Sequence, residues 1–242
     1  MDCSKFTYDD FIQVEAYKAD SHCYAFRRGT DVKNGITLSL GNMVSGYPFE
    51  MDGVEWQNSE CAYIAGAFSL DTPKHRAIRR QLAQCSNGLM AKRAIRRPNE
   101  HLKRSDWEAF NIQWMLRTVW AKCQGNEDFR RLLLSIPADA IIIEDSTFQA
   151  GRTATVWGTR NIEMKKKLVA YRKELKAQGK TKAQIKKAMD EKRLGELSDT
   201  GVFEGKNVMG KVLMCCRDNL RHGTEPLIDH DLLKSKHIHL DI

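Results

Sequence analysis

The 242-residue sequence is short of several things, and each shortage closes off a class of protein. It holds no apolar run near the roughly 20 residues that cross a bilayer, so neither a membrane-spanning helix nor a membrane partner is expected. Its opening residues carry Asp2, Asp9 and Asp10 and no apolar stretch, which does not fit a secretory leader. The seven cysteines, at 3, 23, 61, 85, 123, 215 and 216, are odd in number, scattered and free of any C-x-x-C pair. That spacing speaks against a zinc ribbon or a disulfide framework and suits a reducing compartment, so the chain reads as cytoplasmic. No internal repeat, P-loop, dinucleotide-type glycine pattern or G-x-S-x-G elbow occurs. His237 and His239 have metal-ligand spacing but no evident third ligand, and neither a metal nor another cofactor is expected.

What the sequence does have is positive charge, and it is concentrated. The formal net charge is +8. Between His75 and Arg104, nine basic residues stand against Glu100 alone, a local balance of +8. Between Arg160 and Arg193, thirteen stand against four acids, a local +9, which leaves the rest of the chain at −9. Charge gathered in this way creates an anion-attracting field that evenly spread charge would not. The first segment is rich in Arg, whose planar fork matches phosphate oxygens. The second is rich in Lys, a composition shared with ordinary solvated helix faces. These two segments are the expected contacts for phosphate or nucleic acid.

Along the chain, turn signals dominate the first fifty residues, with Asn34-Gly35 and Gly41-Asn42 flanking a short strand over 36–40. Helical signals follow. Asn58 or Ser59 caps a small-residue helix through Ala62, Ala65, Gly66 and Ala67, while Thr72-Pro73 starts another that Asn87-Gly88 should stop. Ser105-x-x-Glu108 has the form of a capping box opening a buried helix with Trp107, Phe110 and Trp114 on one stripe and Ile112, Leu116, Val119 and Cys123 on another. A buried strand over 140–143 leads into Glu144. Residues 161–194 read as a helical hairpin, with Met164, Leu168, Tyr171 and Leu175 on one face, a break at Gly179 and a restart at Thr181. It separates Trp157-Gly158 from Gly205-Lys206-Asn207, two stretches expected to meet in space, and the core is expected to be complete without it. The tail 237–240 alternates like a strand.

Three stretches set polar groups and glycines among apolar sequence. In Asp52 to Glu60, Glu60 opens the small-residue helix, whose N-terminus favours an ionised carboxylate; a plain capping role fits the same position. Ile141 to Ser146 places Glu144 at the end of a buried strand. In Gly205 to Gly210, glycines and a helix start could bring free amides to a phosphate, or merely cap that helix.

In this order the stretches resemble the NADAR (YbiA-like) family. The pattern runs through Asn42, Tyr47-Pro48-Phe49, Asp52-Gly53, Trp56, Ser59-Glu60 and Phe68, then Asp106-Trp107, Met115, Lys122 and Leu132-Leu133-Leu134. It continues through Glu144, Trp157-Gly158, Gly205-Lys206-Asn207, Gly210, Leu213-Met214 and Arg217, covering about residues 36–220. The resemblance implies one compact, helix-dominated α+β domain over residues 1–242, with 161–194 as a basic insertion. It also implies an N-glycosidase that recognises a ribosyl-phosphate or ADP-ribose ligand. Members act on ribosylamino intermediates of the riboflavin pathway or remove ADP-ribose from guanine bases; a reader of ADP-ribose without catalysis is the third possibility. Carried over by position, Glu60 becomes the catalytic acid. Asn42, Trp56, Trp107, Glu144, Trp157 and Gly158 become ligand contacts, and Gly205, Lys206, Asn207 and Gly210 a phosphate cradle. The sequence departs from the pattern of riboflavin-type members at Cys61, where they have His, at Ala67, where they have Lys, and at Ala154, where an Asp is common. If the chemistry needs an amine, Lys92 in the basic segment is the expected substitute.

Overall fold

The computed structural model describes residues 2–242. In chain order the helices are α1 (Tyr8–Ile12), α2 (Ser59–Ala67), α3 (Pro73–Ala83), α4 (Gly88–Met90), α5 (Asn111–Gly125), α6 (Glu127–Ser135), α7 (Ala154–Trp157), α8 (Ile162–Ala177), α9 (Lys182–Leu194), α10 (Val208–His222) and α11 (His230–Ser235). The strands are β1 (Glu15–Lys18), β2 (Cys23–Phe26), β3 (Val32–Lys33), β4 (Ile36–Thr37), β5 (Phe49–Met51), β6 (Val54–Trp56), β7 (Ile141–Glu144) and β8 (Val202–Gly205). Helix dominates and the strands pair only two by two, the expected α+β class. The chain forms two compact units: one from residues 9–39 and 136–211, the other from residues 2–8, 40–135 and 212–242.

In the first unit β1 pairs antiparallel with β8, and β2 pairs parallel with β7. A parallel pair cannot be closed by a tight turn, and here more than a hundred residues separate the two strands in sequence. The strand expected over 36–40 is only β4, two residues paired with β3 across the Asn34-Gly35 turn. Helices α8 and α9 form the expected hairpin, and Thr181 opens α9 with a full capping box to Gln184. The hairpin is no appendage, however. Met164 and Leu168 share a buried cluster with Tyr17, Ala19, Cys23, Ile143, Leu197 and Phe203. Arg193, 3 % exposed, donates to the buried Asp31 carboxylate and lies 3.7 Å from that of Asp145. Asp190 accepts from both Arg27 and Arg28. The expectation that the fold is complete without residues 161–194 is therefore corrected: the inner face of the hairpin belongs to the core of this unit.

In the second unit α5 is the buried centre, apolar on both stripes as its sequence indicated. Gly66 of α2 lies against Trp114 of α5, and a Cβ there would come within 2.3 Å of the indole ring. The indole N–H donates to the Ala62 carbonyl at 3.1 Å, which fixes the crossing of the two helices. Near the end of α5, Lys122 is wholly buried with no hydrogen bond to its Nζ among the described residues. That atom stands 3.6 Å from the centre of the Phe129 ring. Burial pushes the Lys122 ammonium down to about 7, while the ring face works the other way and favours its charged form.

Three local expectations fail for identifiable reasons. Asn87 does not stop α3, which ends at Ala83; its side chain accepts from the amides of Leu89 and Met90 and caps α4 instead. The Ser105–Glu108 box does not form: the Glu108 carboxylate accepts from the Asn111 side chain at 2.7 Å instead. The residues after it make a short 3₁₀ turn, and α5 starts only at Asn111. The tail 237–240 is not a strand; His239 makes one backbone hydrogen bond to Ser69, and the chain end is held by arginines. Arg79 donates to the carbonyls of Phe68, Leu70 and Asp241, and Arg104 to that of Lys236.

Candidate active site

Glu60 is the second residue of α2 and its side chain is 4 % exposed. Two backbone devices place it there. The Asn58 side chain caps the helix by accepting from the Cys61 amide at 3.0 Å, and the Glu60 amide donates to the Asn42 carbonyl at 3.0 Å. Asn42 is in turn placed by its side-chain N–H, 3.2 Å from the Met115 sulfur of α5. Position in the first helical turn favours a carboxylate.

The approach of Lys92 to this carboxylate is the central feature. Its Nζ lies 3.1 Å from Glu60 Oε1, although thirty-two positions separate the two residues in sequence. The angles do not make this contact a hydrogen bond, and Oε1 is buried without one; it is a charge pair. The neighbouring Ser59 hydroxyl is also buried with no hydrogen-bond partner among the described residues. Lys92 is carried by a π-helical turn, Ala91–Arg96, between α4 and a 3₁₀ segment, Arg97–Leu102. Such wide turns are uncommon and occur often at functional sites. The Lys92 side chain is 42 % exposed, so the pair reaches from solvent into the interior.

Tyr63, one turn along α2 from Glu60, was not singled out in the sequence, although the i, i+3 spacing puts it on the same helix face. It is buried, and its ring centre stands 5.0 Å from that of Trp107. Burial, with the Glu60 charge adding, pushes the Tyr63 hydroxyl well above the usual phenol range; Arg96 acts in the opposite direction. Trp107 meets Phe110 edge-on at 5.1 Å. On the same basic segment Arg93 and Arg97 are exposed and make no salt bridge among the described residues.

Other expected contacts take different places. Trp56 is fully buried, and its indole N–H reaches back to the Met51 carbonyl at 3.4 Å, so it belongs to the core of the β5–β6 hairpin rather than to a pocket. Cys61, standing where riboflavin-type members have His, is no titrating substitute near neutrality: burial pushes its thiol up to about 12, and it points to the Cys85 carbonyl at 3.2 Å. Ala67 is buried and accepts the Arg104 amide through its carbonyl.

The remaining candidates gather in the first unit. Trp157-Gly158 and Gly205-Lys206-Asn207 do meet: the Lys206 amide donates to Thr155 at 2.8 Å and that of Asn207 to Gly158 at 3.3 Å. Both amides are thereby engaged, and the phosphate cradle expected at Lys206 and Asn207 is corrected on that ground. The glycines admit backbone instead of ligand. A Cβ at Gly205 would stand 2.6 Å from the Gly158 carbonyl oxygen, and one at Gly210 would stand 2.2 Å from that of Ile142. The Asn207 side chain donates to Ile142 at 2.8 Å and accepts from the Glu144 amide at 3.1 Å, tying the end of β7 to the start of α10. Glu144 is half-buried beside that staple, Ala154 is buried, and Trp157 is half-buried.

The NADAR domain model matches residues 34–221, which include every candidate named above. Among solved structures, the NMR structure of the E. coli protein YbiA is 21 % identical to the chain, covering 83 % of this chain and 86 % of that one with a TM-score of 0.51; at that identity the likeness bears on the fold. No curated protein matches the sequence. With more than three quarters of its length under one family model and a YbiA-like fold, the chain belongs to the NADAR family.

Proposed function

We propose that the chain is an N-glycosidase that breaks the bond between a ribose C1′ and a base nitrogen, and that its substrate is an ADP-ribosylated guanine base in nucleic acid. One observation carries the reading: a buried carboxylate with a hydrogen-bond-free oxygen, paired at 3.1 Å to an amine that reaches solvent. Cleaving an N-glycoside builds positive charge on C1′ and negative charge on the departing base. Glu60 and Lys92 divide that demand. A proton passes from the Lys92 ammonium to Glu60, and the freed amine attacks C1′. The C1′–N bond breaks, its electron pair leaves with the base, and the base takes the proton from Glu60. The ribosyl ring of this adduct opens to an imine, its ring oxygen taking a proton from the Lys92 nitrogen, and water adds to the imine to free the sugar aldehyde and return the Lys92 ammonium. Proton transfer of this kind typically contributes ~10²–10⁴-fold. The exposed Arg93 and Arg97 suit the diphosphate of such a substrate.

A second reading, an ADP-ribose-binding module without turnover, draws support from Ala67, which has no amine to offer. The deciding experiment is incubation with an oligonucleotide carrying ADP-ribosylated guanine, with mass analysis of released ADP-ribose. Glu60→Gln is expected to lower release ~10²–10⁴-fold with an unchanged thermal melt. Borohydride added during turnover is expected to leave a label on Lys92. Tight binding without release would establish the binding module, and cleavage confined to ribosylamino riboflavin intermediates would move the substrate to that class. Near-normal release by Glu60→Gln would remove the catalytic role.

A further inference from the structure

The charge of the α8–α9 hairpin is sorted by face. Met164, Leu168, Leu175 and Ile185 are buried, and so is Arg193. Lys167, Lys187 and Lys192 are paired with Glu163, Glu191 and Glu196. Lys166, Lys173 and Lys176 follow one another along α8 at helical spacings of seven and three, and Lys180 stands in the turn after it; all four are exposed and without a salt bridge among the described residues. Lys182 and Lys186 on α9 are likewise exposed and without a salt bridge among the described residues. Lys166, Lys173 and Lys176 are held by a helix whose other side is locked in the core, so these three are presented at fixed spacing.

We propose that this row is a docking surface for the sugar-phosphate backbone of duplex nucleic acid. The sixteen residues of α8 span roughly 24 Å, over which a duplex carries on the order of a dozen phosphate charges. Binding to single strands rests largely on aromatic platforms. The hairpin's one aromatic, Tyr171, is occupied: Lys192 Nζ stands 4.6 Å from its ring centre. A bilayer surface would need an apolar helix face to enter it, and the apolar face here is turned into the protein. What remains is charge at helical spacing, which reads backbone and not sequence. The inference is independent of the N-glycosidase reading, because binding is measured without turnover and on residues remote in sequence from Glu60.

The test uses the full chain and a labelled DNA duplex of arbitrary sequence, with affinity measured over a series of salt concentrations. Deleting the hairpin would remove core residues, so the variant is Lys166/Lys173/Lys176/Lys180→Gln. The slope of log affinity against log salt is expected to flatten by about 0.9 for each phosphate that is no longer neutralised, roughly 3–4 in all. A control that removes equal charge elsewhere, Lys5/Lys18/Lys74/Lys234→Gln, is expected to keep the wild-type slope. If the quadruple variant fails to fold, the two pairs Lys166/Lys173 and Lys176/Lys180 are changed separately, each with about half the effect. Equal slopes in wild type and variant, or equal flattening in variant and control, would overturn the proposal. So would tighter binding to single strands or to vesicles of anionic lipid than to the duplex.

Discussion

Between His75 and Arg104 the arginines split between the interior and the surface, while between Arg160 and Arg193 the lysines stay almost entirely outside. The two segments carry +8 and +9, near enough to look alike in composition. In the first, Arg79 and Arg104 are buried and bind carbonyl groups of the chain end, Lys92 pairs with Glu60, and Arg93 and Arg97 are exposed without a salt bridge among the described residues. In the second, one arginine, Arg193, is buried on Asp31, and lysines cover the outside. Arg has five donors in a planar fork and can satisfy several carbonyl groups at once, so it tolerates burial; Lys is a compact, strongly hydrated charge and is expensive to desolvate. Charge density alone therefore says little about use. Residue type says more.

The contrast can be broken most forcefully at the hairpin's buried ion pair. Asp31→Asn would leave Arg193 with only the Asp145 carboxylate, 3.7 Å away, as its counter-charge in the core and is expected to cost ~3 kcal/mol, the lower end for a broken buried pair, read as a lowered midpoint in denaturant titration. A loss below about 1 kcal/mol would mean that the hairpin is attached rather than built in.

Lys122, a buried lysine outside both segments, tests the cost of desolvation directly. Its folded-state value of about 7 lies below the ordinary 10.5. Between those values the unfolded chain binds more protons, so stability rises with pH through that window; below it both states are charged and the folded state carries the whole penalty. Lys122→Met is expected to stabilise by on the order of 1–4 kcal/mol below pH 7, with the gain fading towards pH 10.5. Unfolding titrations on either side of the window measure it. An equal gain at every pH would assign the effect to packing instead.

The smallest effect on the fold belongs to the outward arginines of the first segment. Arg93→Gln with Arg97→Gln is expected to change stability by less than about 0.5 kcal/mol. With the ADP-ribosylated substrate it should raise KM about tenfold, or ~1.4 kcal/mol of binding. An unchanged KM would leave these arginines as solvated charge.

Legibility differed between local and long-range features. The Thr72-Pro73 start of α3, the Thr181 start of α9 and the apolar stripes of α5 were readable because their causes lie within a few residues. The Ser105–Glu108 box misled because the Glu108 carboxylate is taken by the Asn111 side chain. Trp56 and the Gly205–Gly210 stretch showed the right residue types for a ligand, yet what they meet is their own backbone. Tyr63 carried a usable signal in its i, i+3 spacing from Glu60, but the packing of its ring on Trp107 did not follow from that spacing.

The sequence by itself determined the helix-dominated class, the hairpin, the two basic segments and the family, since period, caps, composition and motif order are all properties of the chain read in one dimension. Only the tertiary structure decided that Lys92 stands 3.1 Å from Glu60, that α8 and α9 are part of a core, and which of two similarly charged segments turns its cations inward. Each of these depends on contacts between residues far apart in sequence, where burial and the need to satisfy polar groups set the outcome and local propensity is silent.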